Sequence, residues 1–303
     1  MGIDGHRTEV RDFLSSRRAR LTPEQAGLAY YGGSRRVAGL RREEVAMLAG
    51  VSVDYYIRME RGNLSGASDG VLDALATALQ LDEAEREHLF ALARAAGSRL
   101  GRVRRAASTG VRPVIQYMLD AMVEAPAWVR NGRHDLLAMN ALSRALYSPV
   151  LSSPVAGATV KRPANVARFI YLDPAAGDFF VDYDVVLSDS AAMLRLEAGR
   201  NPHDRALIEL VGELSTCSEV FRQRWGSHDV KFHRSGSKRI RHPAIGRIDL
   251  SYESMALQSE PDLQLNVYTA TPGTRDADAL KLLASWAATQ DLPVPDPAYQ
   301  RRR

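Results

Sequence analysis

The chain is poor in cysteine and in lysine and has no long apolar run, and each shortage removes a class of protein. Cys217 is the only cysteine in 303 residues, which excludes a disulfide framework and a cysteine metal cluster. Lysine stands at 161, 231, 238 and 281, so arginine supplies the other 36 of 40 basic side chains. That bias reads mainly as genome composition, with a smaller allowance for phosphate binding. No stretch reaches the roughly 18 uncharged apolar residues of a membrane span. The opening MGIDGHRTEVRDF is charged from its fourth residue and has no apolar signal core. A soluble cytoplasmic protein without a membrane partner is expected. A G-x-S-x-G elbow, a P-loop and a dinucleotide fingerprint are all missing from the sequence, so acyl, phosphoryl and hydride transfer lack their local geometry. The expectation is a protein that is not an enzyme and needs no cofactor.

What is present supports two folded domains. The length matches two units of about 150 residues, and a hydrophobic content of 45% can fill a core in each. The net charge of +4 and pI near 9.3 tolerate a polyanionic partner without demanding one. Through residue 96 the apolar residues recur at three and four, with caps and glycines between the runs. Val10, Phe13 and Leu14 form one stripe, Val45, Leu48 and Ala49 a second, and Tyr56 and Met59 belong to a third that ends at Gly62. Ser68 can cap the run through Leu79, and Asp82 with Glu85 can cap the run carrying Leu89 and Leu92.

Residues 97–111 read as a linker, since GSRLGRVRRAASTG holds three glycines and four arginines. From 112 to 290 the period changes to an α+β pattern with an antiparallel sheet. Strands are expected at Ala127–Asn131, Leu136–Met139, Val230–Phe232, Arg247–Tyr252 and Leu263–Thr269. Helices are expected around Val114–Val123 and at Ala141–Tyr147, Val166–Leu172, Asp184–Ala198 and Asp204–Arg224. RSGSKRIRHP, Arg234–Pro243, reads as a basic hairpin turn, with a second nucleic-acid contact or an anionic-ligand site as the other reading. The proline-rich tail 291–303 is expected to be disordered.

The most specific signal is RREEVAMLAGVSVDYYIRMERG, Arg41–Gly62. Two helices joined through Ala49-Gly50-Val51 need a small residue at the crossing, a glycine for the turn and a small apolar residue for the core. With Val45, Leu48, Val51, Tyr56 and Met59 inward, Val53, Asp54, Tyr55 and Arg58 face out, where a helix can enter the major groove. Residues 8–95 resemble the XRE-type, lambda-repressor-like helix-turn-helix. The resemblance implies that Val53, Asp54 and Arg58 read base edges, that Arg42 at the start of the preceding helix meets phosphate, and that Tyr55 adds a backbone contact. Arg58 suits guanine O6 and N7, Asp54 can accept from cytosine N4 or hold Arg58, and Val53 can meet a thymine methyl. Arg35 and Arg36, in the insertion Tyr30–Leu40, reach a phosphate or the minor groove, or belong to a solvated loop. The helix beginning near Arg42 shows no Ser or Thr cap.

Six further stretches, LLAMNALSRAL, NVARFIYLD, LRLEAGRNP, SEVFRQRWGSHDV, HPAIGRIDLSY and LNVYTATPG, follow one another between Leu136 and Gly273. In order and spacing they resemble the MmyB-like ligand-binding domain. The resemblance implies a PAS-like sheet with flanking helices around an apolar cavity, and a fatty-acid-like ligand. Trp128, Phe169, Tyr171, Phe179, Phe180, Phe221, Trp225, Phe232 and Tyr252 can line such a cavity, with Asn140 as a polar handle, or form plain core. The family implies tryptophan where Tyr183 stands. His228, Asp229, His233 and His242 fit no ligand spacing, so no metal is expected, and Cys217 reads as a small core residue beside Leu214 and Phe221.

These readings combine into a transcription regulator that binds a double-stranded operator as a homodimer and whose second domain senses a small apolar ligand. The alternative keeps DNA binding and makes the second domain a ligand-free dimerisation or protein-interaction module.

Overall fold

The computed structural model describes residues 3–28, 37, 39–97, 111–160 and 162–289. Arg35 and Arg36 lie outside them. The described chain forms two compact units, one of Met1–Arg102, Ala191–Glu209 and Gln223–Phe232, the other of Val103–Ser190, Leu210–Arg222 and His233–Arg303.

The first unit holds helices α1 (Ile3–Arg20), α2 (Arg42–Leu48), α3 (Val53–Glu60), α4 (Asp69–Ala78) and α5 (Glu83–Gly97). Helices α2 to α5 start where the chain supplies a local acceptor. Ser52 and Ser68 accept from Tyr55 N–H at 3.2 Å and Val71 N–H at 3.4 Å, and Asp82 and Glu85 satisfy each other's backbone N–H groups. The start of α2, which lacks a hydroxyl cap, is served instead by Glu44, whose carboxylate accepts from Arg41 N–H at 2.7 Å. Val10, Phe13, Leu14, Val45, Tyr56, Met59, Leu75 and Leu89 are buried in one core. Leu196 and Val230, far along the chain, belong to the same core.

The second unit contains α6 (Pro113–Ala121), β1 (Ala127–Asn131), β2 (Leu136–Met139), α7 (Ala141–Leu146), α8 (Ser148–Leu151), α9 (Val166–Leu172) and α10 (Ala175–Phe179). It also contains β3 (Ser235–His242), β4 (Gly246–Leu257), β5 (Glu260–Thr269) and α14 (Arg275–Thr289). Between them in sequence, α11 (Tyr183–Arg200), α12 (Arg205–Cys217) and α13 (Glu219–Gly226) each run across the division of the two units. The five strands form one antiparallel sheet in the order β2-β1-β5-β4-β3. Register places Trp128 between Met139 and Asn266, and Tyr268 opposite Tyr252, so these side chains share a face. Ala127, Val129 and Leu265 belong to the opposite face, where they pack with Ile115 and Leu119 of α6.

Four sequence readings are corrected. The basic segment taken as a turn is the edge strand β3, whose Ile240 and His242 are buried while Arg239 and Arg241 stay exposed. Val230–Phe232 is not a strand and lies in the first unit. The single helix expected at Asp204–Arg224 is broken at Ser218, whose hydroxyl accepts from Phe221 N–H at 3.2 Å and so starts α13. Cys217, expected in the core, is exposed just before that break.

Candidate nucleic-acid interface and aromatic interior

The turn between α2 and α3 is as tight as its residues allow. Ala49 N–H still bonds Val45 O at 2.9 Å, Gly50 takes φ +63°, and Val51 N–H returns to Ala46 O at 3.0 Å. Glycine is required there because a side chain strains at that φ. Tyr56 and Met59 are then fully buried, while Val53, Asp54 and Arg58 are exposed and Tyr55 half-buried on the outer face of α3. The Arg58 guanidinium lies over the Tyr55 ring at 4.8 Å, which restrains a long side chain without using its five donors.

Sequence reasoning missed the acid that organises this face. Glu60, buried at the end of α3, receives Arg18 of α1 in two hydrogen bonds at 2.9 and 3.0 Å and Arg42 of α2 at 3.1 Å. Arg18 also donates to Leu40 O at 2.9 Å. Burial alone raises the Glu60 carboxyl, but the two guanidiniums hold it below the usual carboxylate value. Arg42 thus sits half exposed at the start of α2, its orientation set by one carboxylate. The signal was present in Arg-Met-Glu-Arg-Gly, where Glu60 occupies the inward phase beside Tyr56. Gly62 closes the helix at φ +96°, where a Cβ would lie 2.5 Å from Arg7 O.

A second polar group lies within the same unit. Arg195 of α11, 2% exposed, pairs with Glu9 of α1, donates to Trp225 O and stacks on the Trp225 ring at 4.1 Å. His88 of α5 and His228 approach the same carboxylate at 3.7 and 3.9 Å. Burial opposes a charge on Glu9, yet the histidines and Arg195 hold its carboxyl well below the ordinary range. His88 is fully buried edge-on to Phe13, and burial keeps its ring below the ordinary histidine value against the pull of Glu9. Close approach to His88 depends on Gly199, since a Cβ there would fall 2.4 Å from Nδ1.

The residues expected to line an apolar cavity divide three ways. Trp128 and Phe169 belong to one chain of rings in the second unit. Trp128 meets Tyr268 at 4.5 Å and Tyr147 at 4.9 Å, Tyr147 meets Phe179 at 6.1 Å, and Phe179 meets Phe169 at 5.7 Å. Tyr252 joins this chain through Tyr268 at 5.8 Å and stacks on His233 at 4.2 Å, whereas Tyr171 and Phe221 form a separate edge-to-face pair at 4.9 Å. Trp225 and Phe232 lie in the first unit, Phe232 against its core and under Arg200. Asn140 is not a free handle: its Oδ1 accepts from Ala127 and Ser143 N–H, and its Nδ2 donates to Met122 and Ala125 O. It caps α7 and fixes the chain before β1. Tyr183 donates to Ile170 O at 2.6 Å. The histidines at 228, 233 and 242 are also divided, the first beside Glu9 and the last bonded to Ala145 O.

Sequence reasoning also missed the polar part of this interior. Arg130 and Asn266 share the Trp128 face of the sheet, and both are buried. Asn266 Oδ1 and His134 Nε2 are buried without a hydrogen-bond partner. Burial and the nearby Arg130 and Lys238 charges hold His134 well below the ordinary histidine value. Tyr147 and Tyr268 share a hydroxyl contact of 2.9 Å.

A family model for the MmyB-like transcription regulator ligand binding domain matches residues 111–283, more than half of the chain. The chain belongs to the MmyB-like transcription regulators. A helix-turn-helix domain model matches residues 12–89 of the regulator, covering α2, α3 and the Arg18, Arg42 and Glu60 group. No curated protein matches it. The regulator is therefore a DNA-binding transcription regulator with a ligand-binding domain, and among its described residues no helix is long and apolar enough to cross a membrane.

Proposed function

We propose that the regulator is a one-component switch that binds its operator as a homodimer, each copy placing α3 in the major groove. The observation carrying this reading is the outer face of α3, where Arg58, restrained over Tyr55, stands exposed between Asp54 and the end of the helix. Arg58 reads guanine, Asp54 and Val53 contribute at neighbouring base edges, and Arg42 and Tyr55 contact the sugar-phosphate backbone. Arg35 and Arg36 add electrostatic attraction to the duplex. Half-sites then lie about one helical turn apart, roughly 34 Å.

The ligand-binding unit takes a small amphiphile whose apolar body packs against Trp128, Phe169 and Tyr252. His134 Nε2 and Asn266 Oδ1 support a polar end, because buried polar atoms in native interiors are satisfied. Coupling requires that this ligand favour one arrangement of the dimer over another. A second reading, a ligand-free module that only pairs two copies, is favoured by the continuous ring packing from Trp128 to Phe169. Native mass spectrometry of the purified regulator separates the two: a bound fatty-acid-sized passenger supports sensing, and a bare polypeptide supports the module.

The DNA assignment is tested with a panel of duplexes differing at single positions. Arg58→Ala is expected to cost about 1–3 kcal/mol at one base pair and relax preference there. Arg42→Ala is expected to weaken all sequences alike and lower the salt slope by about 1. Equal losses on every duplex for both variants would remove Arg58 from the base-reading role.

A further inference from the structure

Helix α6 has two apolar faces. Ile115 and Leu119 point into the core of the second unit, where they pack with Val129 and Leu265 of the sheet. The adjoining face carries Val114, Tyr117 and Met118, which are 48%, 70% and 50% exposed, and it continues through Ala121 to Val123, 73% exposed. Positions 114, 117, 118 and 121 follow the spacing that aligns side chains in one stripe. A helix with one buried face normally presents charge to water, so a second apolar stripe is the pattern of a surface that becomes covered.

We propose that this stripe is the dimer interface of the regulator, packed antiparallel against α6 of a second copy about a two-fold axis near Tyr117 and Met118. The inference rests on the reading that the regulator binds DNA as a dimer, and it names the surface that makes the pair. Three features select a second copy as the occupant. The stripe contains no charged side chain, and in the antiparallel arrangement Val114 meets the small Ala121 while Tyr117 and Met118 meet their own counterparts, the self-complementarity that a two-fold interface demands. Charge agrees with that direction. Asp120 and Glu124, both exposed, close the C-terminal end of the stripe, and an antiparallel mate brings them to the N-terminal end, which has the positive pole of a nine-residue helix beside Arg112, itself paired with Glu260 of the same chain. A parallel pair would set like ends together.

The third feature is position along the chain. α6 is the first described helix after α5, so pairing here places the two-fold axis close in sequence to both helix-turn-helix units, which a palindromic operator needs related by one axis. A stripe of this size is at the small end of protein interfaces, so pairing is reversible and depends on concentration.

The test is sedimentation velocity on the full-length regulator between about 1 and 100 µM. The expected result is a wild-type shift from monomer to dimer, with Tyr117→Asp and Met118→Lys remaining monomeric across the range and melting as wild type does. An independent readout uses a Cys217→Ser background carrying Tyr117→Cys, which mild oxidation is expected to trap as a disulfide dimer, whereas Val220→Cys on α13 is not. A wild-type dimer left intact by both charged substitutions, with no crosslink at position 117, would keep the dimer reading and overturn its placement on α6. A wild type that stays monomeric over the whole range, alone and on DNA, would overturn both.

Discussion

The two units of the regulator differ in how they hold their buried charges. In the helical unit, buried charges meet charges: Glu60 holds Arg18 and Arg42, and Glu9 holds Arg195 beside two histidines. In the sheet unit, the aromatic interior is joined by ring contacts and neutral hydroxyls, and its buried His134 and Asn266 each keep a polar atom unsatisfied, as Tyr56 and His88 do in the helical unit. A unit that must hold one surface rigid against a polyanion benefits from directional ion pairs that fix orientation. An interior that must admit a changing occupant cannot have every polar group already committed.

The contrast can be broken most severely at Arg195. Arg195→Met removes one member of a buried pair and is expected to cost about 3–5 kcal/mol, because Glu9 is left without its guanidinium. Urea unfolding should show it, and a loss below about 1 kcal/mol would mean that Glu9 finds water or another cation. Gly199→Ala tests the same place sterically. The added methyl overlaps the His88 ring, and a cost of about 1–3 kcal/mol is expected if α11 cannot shift. An unchanged melting temperature would show that it can.

A smaller effect joins the two units. His88 and His134 are both held neutral by burial, below the ordinary value of 6.5. The unfolded chain binds a proton at each near that value while the folded chain resists, so their contribution is intact above about pH 6.5 and is lost as the pH falls. Each histidine contributes at most about 1.4 kcal/mol per pH unit. Urea midpoints should therefore fall between pH 7.5 and 5.5, and His134→Gln should flatten part of that slope; a flat wild-type profile would contradict neutral burial.

What could be read in advance follows the range of the interactions. Helices α2 to α5 were legible because caps and turns lie within four residues of what they cap, as at Ser52, Ser68 and Asp82. Strands β1 and β2 were legible from dense apolar runs. The edge strand β3 was not, since Ser-Gly-Ser and three cations mask its alternation, and α14 went unread although Asp276 and Asp278 open it and Leu280 and Leu283 anchor it. At the interface, the exposed face of α3 was legible from helical phase alone. Glu60 was missed because its partners come from α1 and α2, 42 and 18 residues away. The ring neighbours of Trp128 depend on strand register, and Glu9 lies 186 residues from Arg195.

That last separation bears on inheritance. Leu196, Val230 and Arg195 complete the core and charge balance of the helical unit, although they lie inside the stretch that matches the ligand-binding family. A gene rearrangement that joined residues 1–96 to a foreign sensor would carry off the recognition helix without part of its own interior. Such a chimera would begin life with an exposed apolar patch and a stranded carboxylate, so the two halves of this regulator are expected to travel through evolution together.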